Sequence, residues 1–120
     1  MKYVIDNNIP IYIQLVEKLK KDIISGKIGP GERLLSVREL AMQNKVNPNT
    51  MQKALSELED EKLIYTERTN GKYVTQDEEL IKELKEREAL LLTEKYFDNM
   101  NILGLSKDEI VKYLEKYKGD

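Results

Sequence analysis

Tyr12, Val16, Leu19 and Ile23 recur at steps of four, three and four, which places them on one face of a helix. This predicts a helix from Ile11 to Ser25, opened by Pro10, which a first turn tolerates, and stopped by Gly26. Ahead of it, Tyr3, Val4 and Ile5 before Asp6-Asn7-Asn8 read as an extended arm and a turn. Ile28-Gly29-Pro30-Gly31 forms another turn, and Arg33-Leu34-Leu35 a short strand stub. Ser36 and Glu39 have the spacing of a capping box and open a short helix to about Lys45, with Val37, Leu40 and Ala41 inward. Val46-Asn47 makes a tight turn. Asn47 then caps a third helix with Pro48 as its first residue. Met51, Ala54, Leu55 and Leu58 are its buried stripe, and it runs to about Glu61.

Two β-prone runs follow, residues 63–69 and 72–75, separated by Asn70-Gly71. That pair predicts a hairpin with a type I′ turn, whose two central residues both need positive φ. Beyond Thr75 the pattern becomes helical again. One long helix is expected from Gln76 to about Asn101, with Leu80, Ile81, Leu84, Leu91 and Leu92 as apolar positions, ended by Gly104. A second capping box at Ser106–Glu109 opens a last helix carrying Ile110, Val111, Leu114 and Tyr117.

Composition narrows the chemistry. The 120 residues include no Cys and no His, which removes disulfides, thiol nucleophiles, the commonest metal ligands and the commonest general base. The remaining carboxylates and lysines are spread along helical faces with no nucleophile–base arrangement or metal spacing. An enzyme, a metal site and a cofactor are therefore not expected. No apolar run approaches the ~20 residues needed to span a bilayer, and no signal peptide opens the chain, so a cytoplasmic protein with no membrane partner is expected. The net charge of −2 looks unpromising for a nucleic-acid binder, but it is unevenly distributed. Residues 1–75 hold 12 basic and 10 acidic side chains, and residues 76–120 hold 8 and 12. A mildly basic front precedes an acidic rear.

The order helix, short helix, tight turn, helix, hairpin is that of a winged helix-turn-helix. The expected fold is mainly α with a small β-wing: a DNA-binding domain over 1–75 and a two-helix tail over 76–120 for dimerisation. The third helix of such a unit fits the ~12 Å major groove. Once the apolar stripes are buried, Ser36 and Arg38 remain outward at the start of the second helix. Asn47, Asn49, Thr50, Gln52 and Lys53 remain outward at the start of the third. Arg68 and Lys72 flank Asn70-Gly71 on the wing. Arginine suits a phosphate or a guanine edge, glutamine an adenine edge and lysine a phosphate. Each has a plainer alternative. Ser36 and Asn47 cap helices, Arg38 can pair with a glutamate, Asn49 and Thr50 can be ordinary first-turn residues, Asn70-Gly71 serves the turn and Lys72 can be an ordinary surface lysine. A protein-interaction adaptor built on the winged fold, without DNA binding, is the rival reading.

At this level of detail the chain resembles the GntR family of bacterial regulators. The similarity is carried by Pro10-Ile11-Tyr12 with Gln14, Pro30-Gly31-Glu32, Leu34-Leu35-Ser36-Val37-Arg38-Glu39-Leu40-Ala41, Asn47-Pro48-Asn49-Thr50 and Ala54–Glu59. The Asn-Pro-Asn-Thr turn and the short helical tail point to its YtrA subfamily. The resemblance implies a homodimer on a palindromic operator, usually a repressor, with transporter genes as frequent targets. It also implies DNA contacts at Arg38, at Asn47, Pro48, Asn49 and Thr50, and at the wing glycine Gly71. Many relatives carry arginine at the position of Pro48, so the resemblance implies that one base contact is either lost here or moved, for instance to Asn49 or Gln52. Leu35 stands for the usual proline, Lys62 for a glycine and Thr69 for the first wing glycine. If position 62 needs positive φ, lysine there costs of order 1 kcal/mol.

About 45 residues in two helices do not readily enclose a pocket of ~300–1,000 Å³, so no effector is read from the tail. Its leucines, Leu80, Leu84 and Leu91 foremost, are expected to meet a partner protomer instead. The alternative is a tail folded back on its own domain.

Overall fold

The computed structural model describes residues 1–119. These form five helices and one hairpin: α1 (Ile11–Ser25), α2 (Val37–Asn44), α3 (Pro48–Asp60), β1 (Ile64–Glu67), β2 (Gly71–Val74), α4 (Glu78–Ile102) and α5 (Lys107–Lys116). The mainly α fold with a small wing is as expected. The chain divides into two compact units, Met1–Leu84 and a second one beginning at Lys85, so the boundary falls inside α4. It lies beyond the expected 75/76 because Leu84 is buried in the core of the first unit and Leu80 packs against that core.

That core is built from the predicted stripes. Leu19 and Ile23 of α1, Leu40 of α2 and Met51, Leu55 and Leu58 of α3 are all essentially inaccessible, and so are Leu63, Val74 and Leu15, the last a core residue outside the expected α1 stripe, whose Tyr12 is only half-buried. Gly26 closes α1 in the left-handed conformation at φ 84°. Ser36 closes a full capping box: Glu39 N–H donates to its Oγ at 3.1 Å, and Ser36 N–H donates to Glu39 Oε1 at 3.1 Å. The backbone amide of Ser36 and then its hydroxyl hold the Glu39 carboxyl below its ordinary range. Asn47 caps α3 through Asn49 N–H at 2.7 Å. The turn between α2 and α3 needs one positive φ, and Lys45 adopts it at 53°. Lys62 also adopts φ 65°, so the lysine at the former glycine position does sit in the left-handed region.

The arm is fastened by two polar side chains that the apolar pattern does not reveal. Buried Asn44 accepts from Tyr3 N–H at 2.8 Å and donates to Met1 O at 2.9 Å. Gln14, also buried, accepts from Asp6 N–H and donates to the Asp6 and Ile9 carbonyls.

The wing departs from expectation at its tip. Pairing runs antiparallel from Ile64↔Val74 to Glu67↔Gly71, leaving three loop residues, Arg68-Thr69-Asn70, rather than the two of a type I′ turn. Asn70 N–H donates to Glu67 O at 3.2 Å, and Gly71 takes positive φ, at 107°, whereas Asn70 does not. A three-residue connection needs its left-handed residue only at the following position, so one glycine suffices. Residues 32–34 line the other edge of β2. Val74 N–H donates to Glu32 O at 2.9 Å, Leu34 N–H donates to Lys72 O at 2.8 Å, and Arg33 bridges to Tyr73. The strand stub of the sequence is thus a third rung of the wing.

Candidate nucleic-acid interface

Two helix starts and the wing supply the candidate surface. Arg38, in the first turn of α2, is exposed. Pro48 and Asn49 at the start of α3 are exposed and Thr50 half-buried. Asn47 is occupied as a cap through its Oδ1, and the Ser36 hydroxyl is likewise taken by Glu39. One turn on, Gln52 donates to Ser56 Oγ at 3.1 Å, and Lys53 Nζ lies 3.8 Å above the Tyr12 ring centroid. Both remain exposed, held by weak neighbours that a stronger acceptor can replace.

On the wing, Arg68, Thr69, Asn70 and Gly71 are exposed. Lys72 is different. Its ammonium sits 2.9 Å from Glu59 Oε1 at the rear of α3 and 2.9 Å from Thr66 Oγ1, with the lysine side chain only 15% exposed. Thr66 donates to the same Glu59 oxygen. The Thr66 and Lys72 donors hold the Glu59 carboxyl below the ordinary glutamate value. Lys72 therefore ties wing to α3 and is not an ordinary free surface lysine, because β1–β2 register brings it opposite Thr66 and within reach of Glu59.

A cleft of about 300 Å³ opens between wing and α2, lined among others by Ser36, Arg68, Gly71, Lys72 and Arg33. The helix-turn-helix residues Arg38, Asn47, Pro48, Asn49, Thr50, Gln52 and Lys53 lie outside this cleft. The sequence pattern marks Arg33 only as part of a strand stub. The signal was present: in a half-buried strand neighbours alternate sides, so burial of Leu34 turns Arg33 outward.

In the tail, Leu91 is 51% exposed, with Leu90 and Leu92 beside it, and Val111 and Leu114 on α5 and Tyr117 just past its end are exposed. Leu84, grouped with Leu91 from the sequence as a dimer contact, is 8% exposed and belongs to the first unit's core. Leu80 is half-buried against the same core. Among the described residues no cluster of carboxylates could hold a metal ion, and no helix is long and apolar enough to cross a membrane.

A three-helix unit with a β-wing, its third helix capped and polar at the leading end, defines the class of winged helix-turn-helix DNA-binding regulators. The family model of bacterial regulatory proteins of the gntR family matches residues 11–74. The chain belongs to this GntR family of transcriptional regulators, and within it to the YtrA type. A solved GntR family transcriptional regulator from Listeria monocytogenes is 41% identical with a TM-score of 0.87, over 95% of this chain and all of that one. The HTH-type transcriptional repressor YtrA of Bacillus subtilis is 44% identical over 68 residues, which are 57% of this chain and 52% of that repressor. The DNA-binding domain of AraR, solved in complex with an operator, is 28% identical with a TM-score of 0.54, over 62% of this chain and 92% of that one.

Proposed function

We propose that the chain is a repressor that binds a palindromic operator as a homodimer, with transporter genes as the targets its YtrA-type kinship suggests. The observation that carries this reading is the pairing of exposed Arg38 with the exposed leading end of α3, on a frame stiffened by the two caps and the Glu59–Lys72 tie. Arg38 anchors the backbone or a guanine, and Asn49, Thr50 and Gln52 read base edges where relatives use the residue replaced here by Pro48. Arg68, with the backbone around Asn70 and Gly71, follows the adjacent phosphates. The name of the B. subtilis relative supports repression, and the exposed leucines of the tail support self-association. A front with so small an excess of basic charge needs two half-sites, about 34–36 Å apart, for useful affinity.

The test is Arg38→Ala in a salt titration on DNA recovered by the wild-type protein from a random-sequence pool. Binding is expected to weaken by about 1–3 kcal/mol with the fold intact. Unchanged affinity would remove Arg38 from the interface. Failure of the wild-type protein to retain any duplex would favour the adaptor reading.

A further inference from the structure

We propose that Arg33 is a phosphate-contacting residue of this interface, seated where the wing meets α2. The inference rests on the operator-binding reading above and adds a contact that reading does not contain.

The placement comes from three elements at once. Arg33 is bridged to Tyr73 of β2, and its neighbours anchor the backbone on both sides through Glu32 O and Leu34 N–H. Leu34 turns into the core, which sends the exposed Arg33 side chain to the cleft shared by Ser36, Arg68 and Gly71. There the guanidinium lies along the wing backbone. A Cβ on Gly71 would stand 3.3 Å from its Nε and 3.4 Å from an Nη. Gly71 therefore does two things: it takes the positive φ of the loop and leaves the space in which the arginine fork rests.

Charge decides what that fork is for. Lys72 is neutralised by Glu59, and at the tip Arg68 stands next to Glu67 in sequence. Without a further cation the wing would bring almost no net charge to a polyanion. Arg33 makes no ion pair among the described residues. Its field lowers the Glu39 carboxyl slightly, but that carboxylate is engaged by Ser36. The planar guanidinium, open to solvent and held beside an exposed backbone turn, matches a phosphate diester better than a lysine in its place would.

The experiment uses the full chain and a duplex selected by the wild-type protein from a random-sequence pool, with Kd measured across a salt series. Arg33→Gln is expected to weaken binding by about ten- to hundredfold and to lower the slope of log K against log salt by about one per protomer. Arg33→Lys should keep the slope and lose part of the affinity. Thermal midpoints of both variants should match the wild type. An Arg33→Gln protein with unchanged affinity and slope overturns the proposal. So does a loss of affinity accompanied by a lower thermal midpoint and an unchanged slope, because Arg33 would then only support the wing. If the wild-type protein retains no duplex at low salt, the operator-binding reading itself has failed, and the Arg33 contact with it.

Discussion

Single residues in this chain often carry two duties, and the backbone angle or the burial tells which one dominates. Ser36 and Asn47 are caps first, since their side-chain oxygens are already accepting backbone amides. Lys62 shows the opposite situation, a residue set against its local conformation. Its φ of 65° strains any residue with a Cβ, while a glycine there would lose more chain entropy on folding. The balance favours Lys62→Gly by about 0.5–1 kcal/mol. Urea unfolding should place its midpoint above that of the wild type, and an unchanged or lower midpoint would show that the lysine is compensated. Asn44 illustrates what apolar patterning misses: it occupies an inward position of α2, where its amide can serve the arm only because Met1 and Tyr3 come back from more than 40 residues away in sequence.

Among the elements, the wing and α3 behave as one piece because Glu59, Thr66 and Lys72 meet at a single carboxylate oxygen. Glu59 titrates lower in the folded chain than in the unfolded one. Its contribution is therefore complete above the ordinary glutamate value of 4.5 and is lost as pH falls below it. With a third of the Glu59 side chain exposed, the ion pair contributes about 1 kcal/mol or less. Glu59→Gln should lower the thermal midpoint at pH 7, and the two proteins should converge as the pH is brought toward 3. A constant gap across that range would mean that the carboxylate does not hold the wing. The hairpin itself was legible as a hairpin from Asn70-Gly71, but its loop length was not. Register is chosen by which faces of β1 and β2 meet the core, here Ile64 opposite Val74.

For the whole molecule, the consequential result is that α4 serves two units. Its first turns complete the core around α1–α3 through Leu80 and Leu84. Its later turns carry Leu90, Leu91 and Leu92 at steps of about 100°, so they cover a broad arc and not a narrow seam. Leu84 and Leu91, two of the three leucines whose spacing suggests dimer contacts, should therefore fail in different ways when charged. Leu84→Asp should destabilise the first unit by of order 4 kcal/mol, seen as early unfolding in urea. Leu91→Asp should leave that unfolding unchanged and shift the protein to monomer in sedimentation, with much weaker operator binding. A Leu91→Asp protein that stays dimeric and active would remove this segment from the interface.

The sequence by itself determined the helices, their caps, the core stripes and the family. These depend on local geometry: periodicities of 3.6 and 2, hydroxyls three residues ahead of glutamates, and a proline that only a first turn accepts. It also singled out Arg38 and the leading end of α3, because exposure there follows from the buried stripe opposite. Only the tertiary structure decided where a side chain ends up when two distant segments compete for it. Lys72 was drawn to Glu59, Leu84 into the first core, and Arg33 to the gap above Gly71. Each of these depends on a contact across the fold, and no spacing within one element encodes it.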